Sequence, residues 1–339
     1  MTPGLLHEIV DALTDHPRQV EPSPRASTSS DAHRAGTSIE QLLRQAPMPA
    51  VQRRELLERL RAAMPTLIAD HGDEVVETAA ALHDAVLRIP ISTSEPVALP
   101  ALDATLAAAY QTLIGLDAAV SEPWTLIGGL MVMTHCLERG APFNRPTGDA
   151  DIAVSVFTHR RALARVTGHL RDAQFVDVSP PALPGDDQLS YRWAREGVKL
   201  DVAVPPKAND QRDPPTTVTG RTAVELPATQ QALRRTERLR STADGIRGFV
   251  RRPDLLGAIV IKSAAAAADR RDPDRHREDL VTLADIMAFD GDQTEYAPQT
   301  TEKDRARIRT AMHDISMRQW RAARDPDAAR RALEYLVGN

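Results

Sequence analysis

A chain of 339 residues, 42% hydrophobic and 26% charged, can bury a real core and is long enough for two domains or for one large domain with appendages. The net charge of −5 argues against a protein whose whole surface grips nucleic acid, although it leaves room for a local basic patch. One cysteine, Cys136, excludes an internal disulfide framework and a cysteine-based zinc site. Met1-Thr2-Pro3-Gly4 shows no basic segment followed by an apolar run, so a cytoplasmic protein without a secretory signal is expected.

Residues 3–15 place Leu5, Leu6, Ile9 and Leu13 on one side of a short helix. Residues 16–38 are rich in Pro, Ser, Asp and Arg, so 1–38 reads as a flexible N-terminal segment. From Ile39 through Leu42, Leu56, Leu60 and Leu67 the apolar residues recur at helical spacing. The region 39–97 is predicted helical, a packing or partner module without a motif that carries chemistry. Pro90, Pro96 and Pro100 mark a boundary, and 98–250 then reads as an α/β core. Its expected elements are a helix over 102–116, a strand at 124–127, Gly128-Gly129, a helix over 130–138, a loop at 140–148 and a strand at 149–156. A helix over 160–172, a strand at 175–178 and a hairpin follow. The hairpin strands, 189–193 and 198–204, flank Ala194-Arg195-Glu196-Gly197, with glycine where a turn needs it. Residues 206–220 read as a loop, and 221–250 as further strands or a lid. The region 251–339 is helical again over 255–270, 275–289 and, with breaks, 301–336. The apolar run 255–268 is interrupted by Lys262 and is too short to span a bilayer.

Chemistry concentrates in the core. On a strand, residues two apart share a face, so Asp149 and Asp151 project together while Ala150 and Ile152 turn to the other side. Two adjacent carboxylates repel unless a cation lies between them, and hard oxygen ligands at this spacing suit Mg²⁺ or Mn²⁺ together with phosphate oxygens. Asp201 opens the apolar run Val202-Ala203-Val204 on a neighbouring strand and can complete a triad. In two-metal nucleotidyl transfer one ion binds the triphosphate, and the other lowers the pKa of the attacking hydroxyl. Gly128 and Gly129, between a strand and a helix N-terminus, allow a phosphate close to the backbone.

This order of features resembles the nucleotidyltransferase superfamily related to DNA polymerase β, and more closely the bacterial AbiEii/AbiGii-type nucleotidyltransferases, whose members include toxins of toxin–antitoxin pairs. Ile127-Gly128-Gly129, Arg145-Pro146-Thr147-Gly148-Asp149-Ala150-Asp151-Ile152 and Leu200-Asp201-Val202 carry the resemblance. Lys262, Arg270, His276 and Asp279-Leu280 extend it, so that it spans roughly 120–290. It implies an α/β (α+β) nucleotidyltransferase fold, a mixed sheet with flanking helices, plus helical N-terminal and C-terminal regions. It implies Asp149, Asp151 and Asp201 as catalytic metal ligands for Mg²⁺ or Mn²⁺, and Gly128, Gly129, Arg145, Thr147, Lys262, Arg270 and Asp279 around the nucleotide. The implied activity moves an NMP from an NTP, such as ATP, to a hydroxyl of tRNA, a protein or a small molecule. A toxin-type enzyme with an antitoxin partner and no membrane association is within that reading. Leu130 departs from the family, which commonly carries Ser or Thr there. It keeps open an alternative: a catalytically degenerate fold that binds or regulates.

Elsewhere Cys136 and His135 are expected in the core, and His276 on an exposed basic turn. Lys262 faces either the surface or the cleft. Arg145 binds a phosphate or pairs with Asp149. The seven arginines between Arg234 and Arg252 are expected as solvated charge rather than as a stacking platform.

Overall fold

The structure, a computed structural model, describes residues 96–100, 104–143, 148–157, 159–180 and 189–338. The expectations for 1–38 and for 39–95 lie outside these residues, as do Arg145 and Thr147. The chain runs β1 (Val97–Leu99), α1 (Ala104–Ala119), β2 (Trp124–Ile127), α2 (Gly128–Arg139), β3 (Asp149–Val154), α3 (Ala162–Asp172), β4 (Val176–Asp177), β5 (Arg192–Arg195), β6 (Val198–Val204) and β7 (Val224–Glu225). It continues with α4 (Thr229–Arg234), β8 (Thr236–Ala243), β9 (Ile246–Pro253), α5 (Leu255–Ala268), α6 (Pro273–Asp290), α7 (Gln293–Tyr296), α8 (Glu302–His313), α9 (Met317–Trp320) and α10 (Pro326–Val337).

The architecture is mixed α/β with helices packed on mixed sheets. The larger sheet has the order β2-β3-β6-β5-β4, with β7 beside β6. Only β3–β6 and β6–β7 pair in parallel; the other pairings in this sheet are antiparallel. The parallel β3–β6 pair is reached by a crossover through α3. In the second sheet β1 lies parallel to β8, and β8 pairs antiparallel with β9. The segment 221–250 thus supplies strands, not a lid.

Both hairpins close on two residues with positive φ. Glu196 (48°) and Gly197 (86°) join β5 to β6, and Asp244 (47°) and Gly245 (80°) join β8 to β9. Such turns match the twist of paired strands and fix their register. The first turn is two residues long, shorter than the four-residue turn expected from the sequence.

Strand alternation sorts the larger sheet into a core face and an open face. Val198, Leu200, Val202 and Val204 of β6 are buried, as are Ala150, Ile152 and Val154 of β3 and Trp193 of β5. Helix α5 is buried almost all round, at Leu255, Leu256, Ile259, Val260 and Ile261, which explains its apolar sequence. The breaks within 301–336 are capped starts: Thr301 with Asp304 and Ser316 with Gln319 form capping boxes, and Asp325 accepts from Ala328 N–H. Among the described residues no helix is long and apolar enough to cross a membrane.

Charge is also buried. Arg252 is fully enclosed and reaches Glu138 and Glu237, while Arg139 pairs with Asp290 and Asp292. Burial opposes ionisation of Glu138, but Arg252 and Arg139 beside it hold the carboxyl below its usual range. His135 is buried with Nε2 3.1 Å from the Pro253 carbonyl, and Cys136 lies in the core.

Candidate active site

The β3–β6 register brings the site together. Asp149 pairs with Lys199 and Asp151 with Asp201, so all four side chains leave the sheet on one face, opposite the buried Ala150, Leu200 and Val202. On the other side of β3, Asp151 pairs with Ile127, the last residue before Gly128. Gly128 has φ +74°, and a Cβ placed on it would lie 1.9 Å from Asp151 Oδ2. The first turn of α2 therefore abuts the Asp151 carboxylate, and only glycine supplies both the conformation and the clearance. Gly129 follows inside the helix and is buried.

Asp201 already has a partner. Arg192, its cross-strand neighbour on β5, donates from Nε to Asp201 Oδ1 at 2.8 Å and from NH2 to Oδ2 at 2.6 Å. Both carboxylate oxygens accept from one planar fork. Asp149 is more open, with its side chain 46% exposed and Lys199 Nζ 4.0 Å away. Among the described residues, no three His, Cys, Asp or Glu side chains gather tightly enough to hold a metal ion by themselves.

The far wall comes from α5 and α6. Lys262 Nζ lies 2.6 Å from Asp279 Oδ2, and both side chains are buried. Lys262 therefore does not reach the surface, and Asp279 holds Lys262 rather than standing apart. His276 is not on an exposed turn: its side chain is 13% exposed and its Nε2 is 3.1 Å from Asp269. Burial, with Lys262 and Arg275 nearby, lowers its pKa to about 4, so it is neutral at pH 7. Asp269 is held far below its usual range by the backbone N–H of Arg271 first, then by those of Asp272 and by Arg275 and His276. Arg270 lies exposed between the helices.

Electrostatics single out Asp151. The residue keeps a partial opening to solvent, but its carboxyl group sits among protein atoms. Burial, then Asp201, and further Asp149 push it up to about 7 against the opposing pull of Lys262 and Arg275. Asp149, Asp151 and Asp201 set hard oxygen donors on one face, the donor type that a divalent cation takes.

Sequence reasoning missed Arg192, Lys199 and Arg275. It placed Leu130 where a hydroxyl is common in the resembled family, and Leu130 is fully buried in the core. The arginine run is solvated in part: Arg234, Arg238, Arg240 and Arg247 are exposed, whereas Arg235, Arg251 and Arg252 are drawn inward. Arg238 and Arg251 share Asp117, Arg235 reaches Asp304, and Arg252 is internal. Phe249 lies within the run, and the Arg238 guanidinium stacks 4.1 Å from its ring centroid.

No family model matches the chain, and no curated protein matches it. Among solved structures, the chain is similar to an antigenic nucleotidyltransferase-like protein from Paracoccidioides brasiliensis. The likeness has 16% identity and a TM-score of 0.33, over 60% of this chain and 92% of that one.

Proposed function

We propose that the chain is a metal-dependent nucleotidyltransferase that moves an NMP from an NTP to an acceptor hydroxyl. The observation that carries this reading is the register setting Asp151 opposite Asp201, with Asp149 on the same face and Gly128 against Asp151. Asp149 and Asp151 would hold Mg²⁺ or Mn²⁺. When bound, such an ion stabilises charge on the triphosphate and lowers the pKa of the attacking hydroxyl. Gly128 and Gly129 let a phosphate approach the N-terminus of α2 through backbone N–H groups, since Leu130 offers no hydroxyl. Lys262 supplies positive charge within electrostatic reach of Asp151, held in place by Asp279. Arg192 fixes the direction of Asp201.

The resemblance to AbiEii/AbiGii-type enzymes supports a finer reading. In it, a cytoplasmic toxin-type transferase uses an NTP such as ATP, acts on tRNA, a protein or a small molecule, and is controlled by an antitoxin. In this reading Arg145 and Thr147 contact the nucleotide. The test is incubation with each α-labelled NTP together with total cell RNA and protein. Label should appear on one acceptor fraction, and Asp149→Ala should remove it by at least ~100-fold while the protein stays folded. Equal labelling by wild type and variant would sink the proposal.

A second reading is a nucleotide-binding or regulatory module without turnover. Leu130, buried in the core where the resembled family commonly carries a hydroxyl, favours it. Metal-dependent NTP binding without pyrophosphate release would select it over the enzyme.

A further inference from the structure

We propose that the outer face of the β8–β9 hairpin is a docking surface for single-stranded RNA, with Arg238, Arg240 and Arg247 against its phosphates and Phe249 against a base. The strand register sorts the hairpin into two faces. Leu239, Ser241 and Ala243 of β8 and Val250 and Arg252 of β9 are buried on the inner face. Gly248 lies on that face too, and a Cβ there would meet Ile114 Cγ2 at 2.3 Å, so α1 packs directly on the backbone. Arg238, Arg240 and Thr242 alternate onto the outer face, opposite Arg251, Phe249 and Arg247. Four of these six residues are arginines and none is an acid, in a chain whose net charge is −5.

Arg238, Arg240 and Arg247 are exposed. Arg251 is drawn inward: its Nε donates to Asp117 Oδ1 at 2.6 Å, and its two terminal nitrogens donate to the Glu122 and Val120 carbonyls. Asp117 accepts from Arg238 as well, so one carboxylate serves two guanidinium groups. Arg251 thus ties the hairpin to the end of α1, and the cationic face holds one shape before a partner arrives. The half-buried Phe249 ring has the Arg238 guanidinium 4.1 Å and the Arg240 guanidinium 6.0 Å from its centroid. A ring flanked by guanidinium planes takes an unpaired base by stacking, and arginines about 7 Å apart along a strand follow a charged backbone. Loops and ends of RNA present such bases, whereas a duplex hides their faces. An acidic peptide would use the charge and leave the ring idle. As a binding surface this rests on the hairpin alone; that the bound RNA is also the acceptor rests on the transferase reading.

The test is fluorescence anisotropy of the full-length protein with a labelled single-stranded RNA of about 12 nucleotides and mixed sequence, in chelator and without NTP. Wild type should bind, and more weakly as salt rises. Arg240→Gln/Arg247→Gln should weaken binding at least about tenfold and reduce the slope of log K against log salt by about 1.4. Phe249→Leu should weaken it about tenfold with the slope unchanged. Should Phe249→Leu not fold, the exposed arginine pair decides alone. Absence of RNA binding, binding that the arginine pair leaves unchanged, or tighter binding to duplex DNA, phosphatidylserine vesicles or polyglutamate would each overturn the surface. If the wild type still labels an acceptor from NTP in that case, the transferase reading stands. RNA bound in the expected way by a wild type that labels nothing would remove the transferase reading and keep the surface.

Discussion

At Asp151, burial and the neighbouring Asp201 and Asp149 carboxylates raise the carboxyl to about 7, against an unfolded value near ~4. Folding of the metal-free protein therefore takes up a proton between those values. The stability tied to this group is fully present below the unfolded pKa and is lost as pH rises through 7. Asp151→Asn should accordingly stabilise the metal-free protein at pH 8 by roughly 1–3 kcal/mol. The gain should fall to about a third by pH 5 and vanish below about pH 4. Denaturant titrations in chelator at both pH values check it, and an equal effect at both would contradict the assignment. Gly128→Ala should act differently from Gly197→Ala, although both residues have positive φ. The first Cβ would strike the Asp151 carboxylate at 1.9 Å, while at Gly197 the nearest atom is Thr105 Oγ1 at 3.8 Å. Each change costs about 1–2 kcal/mol of backbone strain. Only Gly128→Ala should also lower NTP affinity, measured against Gly197→Ala of similar melting temperature. Asp149, Asp151 and Gly128 were legible in the sequence because a period of two and a glycine before a helix are local signals. Arg192 was hidden by turn length. A four-residue turn at 194–197 would pair Asp201 with Ser190, whereas the actual two-residue turn pairs it with Arg192.

Between elements, the packing of α5 on α6 encloses an ion pair. Lys262 and Asp279 are both buried at 2.6 Å, so removing one partner breaks a charge-assisted contact in the interior. Asp279→Ala should cost about 3–5 kcal/mol. Arg270→Ala, on the exposed connection, should stay within about 0.5 kcal/mol. Equilibrium unfolding of the two variants separates a structural clamp from a purely ligand-facing role for Asp279. The sequence marked both Lys262 and Asp279, yet it could not say that they hold each other, because helical spacing fixes a face within one helix and not the partner on the next. The breaks in 301–336 were visible but not placed. Their positions follow from Thr301, Ser316 and Asp325, whose side chains bond the first turns of α8, α9 and α10.

Across the described chain, one hydrophobic core joins the sheets to the C-terminal helices. It includes Trp124, Ile152 and Leu200 of the larger sheet, Leu256 and Leu283 of α5 and α6, and Leu333 and Leu336 of α10. The division into an α/β core over 98–250 and a helical region over 251–339 is therefore one of sequence character, within a compact unit that begins at Pro96. A fragment of residues 96–339 should unfold in a single transition reported alike by tryptophan fluorescence and by far-ultraviolet circular dichroism. Separate transitions for the two regions would show that they fold independently. The continuity of this interior also governs how a genetic screen would behave. Random mutants selected for loss of activity will be dominated by lesions at places such as Leu333 or Trp320, remote in sequence from the carboxylates, because a small loss of stability depletes the whole protein. Mutants that keep normal abundance and still fail will be few, and they will cluster at solvent-touching positions such as Asp149 and Lys199, where the chemistry can be read without the confusion of misfolding.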